Sequence, residues 1–263
     1  DQLAVITFLA TTEAWVVNPQ AQTFDDFKIR ELDLSAYAFN DGIPDAKSVE
    51  IINGRAFIAM QQVDFTSTNP RYKKEQAYVA VFDTTTWEEI DTSPEEPATK
   101  AIALTIRNPI NMQIFNNQLY IHGMDYSTYV GGIEVINPTD LTNKVIYQDT
   151  EQTSRIYSFT MVSSTQAYAI DYAGWKNNSF KSISIINDEV TISPINGFEN
   201  TYLTALGTDG ANNVWLGLGT VVAGEDTAAR QPGVQIFTST GEISGEMLTT
   251  ELDPDSIQFL TKD

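Results

Sequence analysis

The stretch GRAFIAMQQVDF, from Gly54 to Phe65, decides the fold because it is one copy of a repeated unit. It follows the tight turn Asn53-Gly54 and places Phe57 in an apolar strand that becomes polar after Met60. Four further stretches have the same form, a turn followed by a strand with a large aromatic residue. They are TTEAWVVN with Trp15, NNQLYIHG with Tyr120, STQAYAID with Tyr168 and NNVWLGLG with Trp215. Recurrence about every 50 residues predicts a repeat protein.

Each aromatic strand has companions on both sides. A later apolar strand ends at a turn residue, in KIRELD at Asp33, YVAVFD at Asp83, IEVIN at Asn137, ISIIN at Asn187 and VQIFT at Thr238. Earlier strands are AVITF, SVEII, NMQIF, SFTMV and LTALG, and weaker fourth strands are WEEIDT, KVIYQD, VTISPI and EISGEM. Four short strands joined by Gly, Asn and Asp turns are typical of a β-propeller blade. The alternative, a sandwich of evenly spaced strands, does not require self-similar groups of four strands.

We therefore predict an all-β protein, in which residues 1–263 form a single β-propeller domain of five complete four-stranded blades. SPEEPATK, at 93–100, is predicted to be a long loop between blades. SIQFL, at 256–260, is predicted to be the first strand of another blade. Because propellers usually complete one blade from both termini, we expect native strands before Asp1 and a full ring of six or seven blades.

Composition limits the partners. The 263 residues include 15 Lys and Arg against 35 Asp and Glu, a formal net charge of −20, so the surface repels nucleic acid and anionic membranes. The longest apolar run, AVITFLA at 4–10, is too short to insert into a bilayer. The absence of cysteine excludes disulfides, a Cys nucleophile and thiolate metal sites within this chain.

Several stretches resemble exported bacterial propellers of the YVTN/YncE-like group. The residues that carry the resemblance are AYVAVFDTTTWEEI, GGIEVINPTDLTNKVI, GRAFIAMQQVDF followed by QAYVAVFD, and PGVQIF with LDPDSIQFL. The resemblance implies an extracellular, cell-surface or periplasmic protein that binds rather than catalyses. It transfers no functional residue, and WD40 signatures are absent.

The long loops suggest one binding face. In a propeller blade the loops between strands two and three share one side, and here they are long at 65–76, 126–131, 174–180 and 221–232, whereas the opposite turns are minimal. Function concentrates on loops held by a rigid scaffold, and aromatic residues often anchor recognition. The predicted binding residues are Phe65, Arg71, Tyr72, Lys73, Lys74, Tyr126, Tyr129, Trp175, Lys176 and Arg230, with the basic residues expected to favour an anionic partner. The alternative is that the aromatics pack the loops down and the lysines are solvated.

Candidate chemistry is sparse. His122 is the only histidine, and one imidazole beside Met124 is too little for a copper site, so a packed histidine is expected. No G-x-S-x-G motif supports a catalytic triad. Pro and Asx residues recur before first strands, at Asp45, Asn111 and Asp255, where they would ring the mouth of a central channel. Their oxygen atoms would suit Ca²⁺, although Asx residues also cap turns.

The sequence thus predicts a binding or scaffold module with a protein or glycan partner at the cell surface. The alternative function is a propeller hydrolase or lyase with a metal-assisted site at the channel mouth. The two differ in a testable feature, since an enzyme needs converging titratable groups in a pocket and a scaffold needs an aromatic loop surface.

Overall fold

A computed structural model describes residues 3–66, 76–94, 99–124, 131–150, 155–187, 189–223 and 229–259, and the backbone of residues 73 and 74. The chain forms two compact units, Asp1–Gln148 and Asp149–Asp263. Each unit is built from consecutive antiparallel sheets whose strands are arranged in chain order.

The first unit contains three such sheets. The first consists of β1 (Ala4–Ile6), β2 (Glu13–Val17) and β3 (Lys28–Asp33), with helix α1 (Phe24–Phe27) before β3 and a 3-10 turn at Ser35–Tyr37. Strands β4 (Ala46–Ile52) and β5 (Arg55–Met60) open the second sheet, β6 (Val63–Asp64) and β7 (Lys73–Lys74) form a separate pair, and β8 (Tyr78–Asp83) and β9 (Ile102–Ala103) complete the second sheet. The third comprises β10 (Pro109–Phe115), β11 (Gln118–Gly123), β12 (Gly132–Ile136) and β13 (Asn143–Gln148).

The second unit contains two sheets of four strands. One consists of β14 (Arg155–Ser163), β15 (Gln166–Gly174), β16 (Asn177–Ile186) and β17 (Glu189–Pro194). The other consists of β18 (Leu203–Thr208), β19 (Val214–Leu218), β20 (Gly233–Phe237) and β21 (Leu248–Thr249). No helix in the described ranges has the length and apolar character needed to cross a membrane.

Local sequence explains the hairpins between first and second strands. Asn53 and Gly54 have φ of 53° and 73°, and Asn116 and Asn117 have φ of 47° and 57°. These left-handed values are the ones that a two-residue type I′ turn requires, and Asn and Gly adopt them at little cost. The strands on either side are thereby fixed in register.

Apolar residues between consecutive sheets form the core. Phe57, Val79 and Val81 of the second sheet share a cluster with Leu119 and Ile121 of the third. In the second unit, Tyr168 and Phe180 share a cluster with residues of the last sheet. This stacking of sheets face to face, with buried aromatic residues between them, is the packing expected of propeller blades.

The sequence repeat is confirmed by the sheets, with local differences. All five repeated aromatics lie in second strands, but only Phe57, Tyr120 and Tyr168 are buried, whereas Trp15 and Trp215 are half-buried. Trp15 packs on Phe8 of its own blade, with ring centroids 4.9 Å apart. Among the described residues the first sheet has three strands.

Two fourth strands lie later in the chain than predicted. In the second sheet the fourth strand is β9 and not WEEIDT, which contributes only an isolated bridge between Phe82 and Glu89. The described ends of the predicted loop, residues 93–94 and 99–100, consequently lie between two strands of one sheet, and residues 95–98 lie outside the described residues. In the last sheet β21 replaces the predicted EISGEM, which forms one bridge from Ile243 to Phe237. The described residues 256–259 form no ladder, but Phe259 packs against Trp215 at 5.2 Å.

Candidate binding surface

An exposed aromatic surface in the second unit begins at the turn between β15 and β16. Gly174 pairs with Asn177, which leaves Trp175 and Lys176 as a two-residue turn, with Lys176 at φ 57°. The long predicted loop at 174–180 was therefore wrong, because Asn177–Phe180 belong to β16 and Phe180 is fully buried. The tight turn holds Trp175 outward, with 78% of its surface exposed.

Tyr202 lies beside this turn. Its ring centroid is 6.1 Å from that of Trp175, with the planes at 45°. The two are brought together by paired backbone hydrogen bonds of 2.8 Å between Asn178 in β16 and Thr201, the residue before Tyr202. The amide of Gly219 also donates to the carbonyl of Tyr202 at 3.0 Å. The backbone pairing of β16 with Thr201 thus places the turn residue Trp175 beside Tyr202, which directly precedes β18.

The Arg230 side chain holds the backbone at Tyr202 and Gly219. Its guanidinium donates to the carbonyls of Tyr202 at 2.8 Å and Gly219 at 3.0 Å, and to the hydroxyl of Thr201 at 3.0 Å. Burial lowers the pKa of Arg230, with Asp253 acting in the opposite sense. Because its donors are bound to backbone carbonyls and to a hydroxyl, Arg230 stabilises the surface rather than presenting a free cation to a partner.

Charges of both signs surround the Tyr202 ring. The Lys176 ammonium lies 4.7 Å from the ring centroid, within cation–π distance. Burial raises the pKa of the Tyr202 phenol, and the nearby carboxylates of Asp253 and Asp255 raise it further. The pKa of Asp253 is lowered, because its carboxylate accepts hydrogen bonds from the hydroxyl and amide of Thr220, at 2.6 and 2.7 Å, and lies near Lys176 and Arg230.

The aromatic surface continues to Tyr157. Tyr157 is 36% exposed, its ring centroid lies 6.4 Å from that of Tyr172, and its phenol lies close enough to Tyr202 to influence the pKa of that residue. We call Trp175, Lys176, Tyr202, Asp253 and Asp255 the Trp175 surface. It combines three of the residues singled out from the sequence, Trp175, Lys176 and Asp255, with two that sequence reasoning missed.

The first unit has a separate feature at the start of the 65–76 loop. Asp45 is fully buried with φ 56°, and its carboxylate accepts a hydrogen bond from the amide of Val63 at 2.9 Å. Burial raises the pKa of Asp45 to about 6, with a smaller contribution from Asp41. Asp41 in turn accepts from the amide of Phe65 at 3.3 Å, and Phe65 is 49% exposed. Two carboxylates therefore hold the backbone at the base of this loop.

The predicted cation ligands take different structural positions. The residue equivalent to Asp45 in the next blade is Asn108, which also has positive φ, is buried and directly precedes a first strand. Asn111 is instead exposed within β10, opposite the buried His122. Within the described ranges no group of three or more His, Asp or Glu side chains is placed to hold a metal ion.

The remaining predicted binding residues stay predictions. Arg71, Tyr72, Tyr126 and Tyr129 lie outside the described residues, and of Lys73 and Lys74 the structure gives only the backbone pairing of β7 with β6. The residues missed in the sequence had a faint signal. Tyr202 directly precedes a first strand, and Gly219 ends the motif LGLG, where a missing side chain makes room for a neighbouring ring.

Comparisons with known proteins agree with the fold and go no further. No family model matches the chain, and no curated protein matches it. Among solved structures, the chain is similar to one in a nidogen/laminin complex, with a TM-score of 0.50, 9% identity, and coverage of 93% of this chain and 76% of that one. It is also similar to the N-terminal domain of Nup159, with a TM-score of 0.49, 14% identity, and coverage of 94% and 58%.

A third similar structure is the β-propeller domain of the Trilobed protease from Pyrococcus furiosus, with a TM-score of 0.44, 10% identity, and coverage of 77% and 57%. The chain thus spans less than three fifths of the Nup159 and protease chains. The repeated antiparallel sheets define the chain as a β-propeller protein. At these identities the similarities concern the fold alone.

Proposed function

We propose that this chain is a binding module of an exported β-propeller, and that it engages a protein or glycan partner through the Trp175 surface. The observation that carries the proposal is the 78% exposure of Trp175 in a two-residue turn between paired strands. A large aromatic residue held in solvent by well-paired strands has no role in the core, whereas such residues are common anchors at interfaces. The location outside the cytoplasm, at the cell surface or in the periplasm, is supported by the resemblance to YVTN/YncE-like propellers.

A catalytic role has weaker support. A cleft of about 330 Å³ in the second unit lies between the end of β17 and the turn after β20, and its lining is apolar apart from Asn196. Among the described residues that line it none has a titratable side chain, and hydrolysis or elimination requires such acid and base groups. Asp45, whose carboxyl group has a raised pKa, is buried within the first unit and is not one of the residues that line this cleft.

Site-specific photo-crosslinking tests the proposal. A photoreactive amino acid replaces Trp175 in the chain made by its native cells, and a control chain carries it at Asn116, an exposed residue in a minimal turn of the first unit. We expect a discrete covalent adduct from position 175 and none from position 116. With the captured partner purified, Trp175→Ala should weaken binding at least about five-fold, equivalent to about 1 kcal/mol, with no change in melting temperature. Adducts from position 116 alone, or equal binding by the variant, would contradict the assignment.

A further inference from the structure

We propose that the Trp175 surface receives a positively charged side chain from a basic peptide segment, and that Lys176 occupies the receiving position in the free protein. This inference rests on the proposed function, because it names the class of partner for the same surface. It also reverses the expectation of an anionic partner that the loop lysines and arginines suggested.

The first argument is the position of Lys176. Its ammonium lies 4.7 Å from the centroid of the Tyr202 ring, although the side chain starts from the tip of an exposed turn. Aromatic faces attract cations electrostatically, and the interaction strengthens when water is partly excluded. The chain's own cation therefore demonstrates what the ring and its surroundings favour.

The second argument is the charge that surrounds the ring. Asp253 and Asp255 lie near Tyr202, and their carboxylates add to burial in raising the pKa of its phenol. Arg230, the other nearby cation, is committed to four hydrogen bonds with three backbone and hydroxyl oxygens. When Lys176 swings into solvent, the surface presents two aromatic rings and two carboxylates to an incoming cation.

The third argument is the chain as a whole. A formal net charge of −20 attracts basic segments and repels acidic ones, and it accelerates their encounter at low salt. A guanidinium is the best fit, because its planar group stacks on an aromatic face while it donates to carboxylates. Tyr202 supplies the aromatic face that Lys176 covers in the free protein, Trp175 lies beside it with its ring centroid 6.1 Å away, and Asp253 and Asp255 supply the acceptors.

The test measures binding of an octa-arginine peptide by titration calorimetry and tryptophan fluorescence at low and moderate salt. We expect Trp175→Ala to weaken binding at least five-fold and Tyr202→Phe, which keeps the aromatic face, to bind like the parent. Lys176→Gln should strengthen binding several-fold, because it removes the competing cation. Lys47→Gln is the matched control, since it deletes one exposed positive charge from the first unit.

The outcomes separate the two proposals. Equal effects of Lys176→Gln and Lys47→Gln, or no effect of Trp175→Ala, would show attraction by net charge alone and overturn the inference. If cellohexaose rather than octa-arginine binds in a Trp175-dependent way, the surface is a glycan site, so the proposed function stands and this inference fails. If the crosslink at position 175 also captures nothing, both fail.

Discussion

The ring of Tyr202 occupies the space that a side chain on Gly219 would need. A Cβ atom at Gly219 would lie 2.2 Å from Cδ1 of Tyr202, well inside van der Waals contact. The contact is made by the middle of a ring and not by the end of a flexible chain. Gly219 and Tyr202 therefore fit each other, and the glycine sets how deeply the ring sits beside Trp175.

Gly219→Ala should displace the Tyr202 ring and separate it from Trp175. We expect a loss of about 1–3 kcal/mol in the free energy of unfolding, the usual range for overpacking, and a change in tryptophan emission. Urea unfolding followed by fluorescence measures both. Gly210→Ala is the matched control, because a Cβ at Gly210 has open space around it. Equal behaviour of the two variants would show that the ring yields without cost.

The Trp175 surface shows which residues of the candidate site were predictable from the sequence. Trp175 and Lys176 were predicted because aromatic and basic residues in a turn region stand out. Their neighbour Tyr202 was missed because only the pairing of Asn178 with Thr201 brings the next blade alongside the turn. Arg230 was predicted to contact a partner, but its four hydrogen bonds with three nearby oxygens could not be foreseen from residue type.

In the first unit, arginine side chains join neighbouring blades. The Arg55 guanidinium donates to the carbonyl oxygens of Pro138 and Thr139, at 2.5 and 3.0 Å, in the turn after the third strand of the next blade. Arg30, in the third strand of the first sheet, likewise donates to the carbonyl of Thr86, in the turn after the third strand of the second sheet. Blades are thus tied at their outer turns as well as through the core.

Arg55→Ala should lower the free energy of unfolding by about 1.5–3 kcal/mol, since hydrogen bonds to a charged donor are lost and two carbonyls must find water. Arg55→Lys should recover only part of this, because an ammonium does not offer the planar set of donors that reaches both oxygens. Chemical denaturation measures the effect, with Lys47→Ala as the control. No loss in Arg55→Ala would mean that the core alone sets the packing of these blades.

The raised pKa of Asp45 sets the sign of one contribution to the pH dependence of stability. The folded-state pKa is raised to about 6 from the ordinary value of 3.8, so the native state binds the proton more tightly than the unfolded chain. The stability contributed by this protonation is complete below about pH 4, and it is lost as the pH rises towards 6 and beyond. The ionised carboxylate then costs about 1–3 kcal/mol at neutral pH.

Asp45→Asn should therefore remove this dependence, whatever constant offset the amide introduces. Free energies of unfolding are measured from pH 3.5 to 8. The value for the variant should increase relative to that of the parent as the pH rises. Asp83 supplies the opposite case, because amide hydrogen bonds from Thr86 and Thr85 lower its pKa. Asp83→Asn should be less stable than the parent above about pH 4, and the difference should shrink as the pH falls further, so this variant is also measured down to about pH 2. Parallel pH profiles for parent and Asp45→Asn would refute the buried-carboxylate account.

The fold was predictable from the sequence to the extent that it depends on local patterns. The turns Asn53-Gly54 and Asn116-Asn117 fix the hairpins, and the strands on either side alternate or run apolar as expected. The fourth strands were harder, because they are short and outermost. WEEIDT has the composition of a strand, but Ile102 is buried and pairs with Val79, and this tertiary contact determines which segment completes the sheet.

The repeated aromatics should differ in their contributions to stability although they occupy equivalent strand positions. Phe57 is fully buried between the second and third sheets, so Phe57→Ala should cost about 3–5 kcal/mol through lost burial and the cavity that remains. Trp15 is half-buried and packs on Phe8 and Phe24 of its own blade, with Lys28 4.3 Å from its ring centroid. Its truncation leaves a surface depression that water fills, so Trp15→Ala should cost clearly less. Urea denaturation of the two variants measures both losses in the free energy of unfolding. A larger loss for Trp15→Ala than for Phe57→Ala would contradict this account, because it would mean that Trp15 stabilises the first blade more than Phe57 stabilises the second.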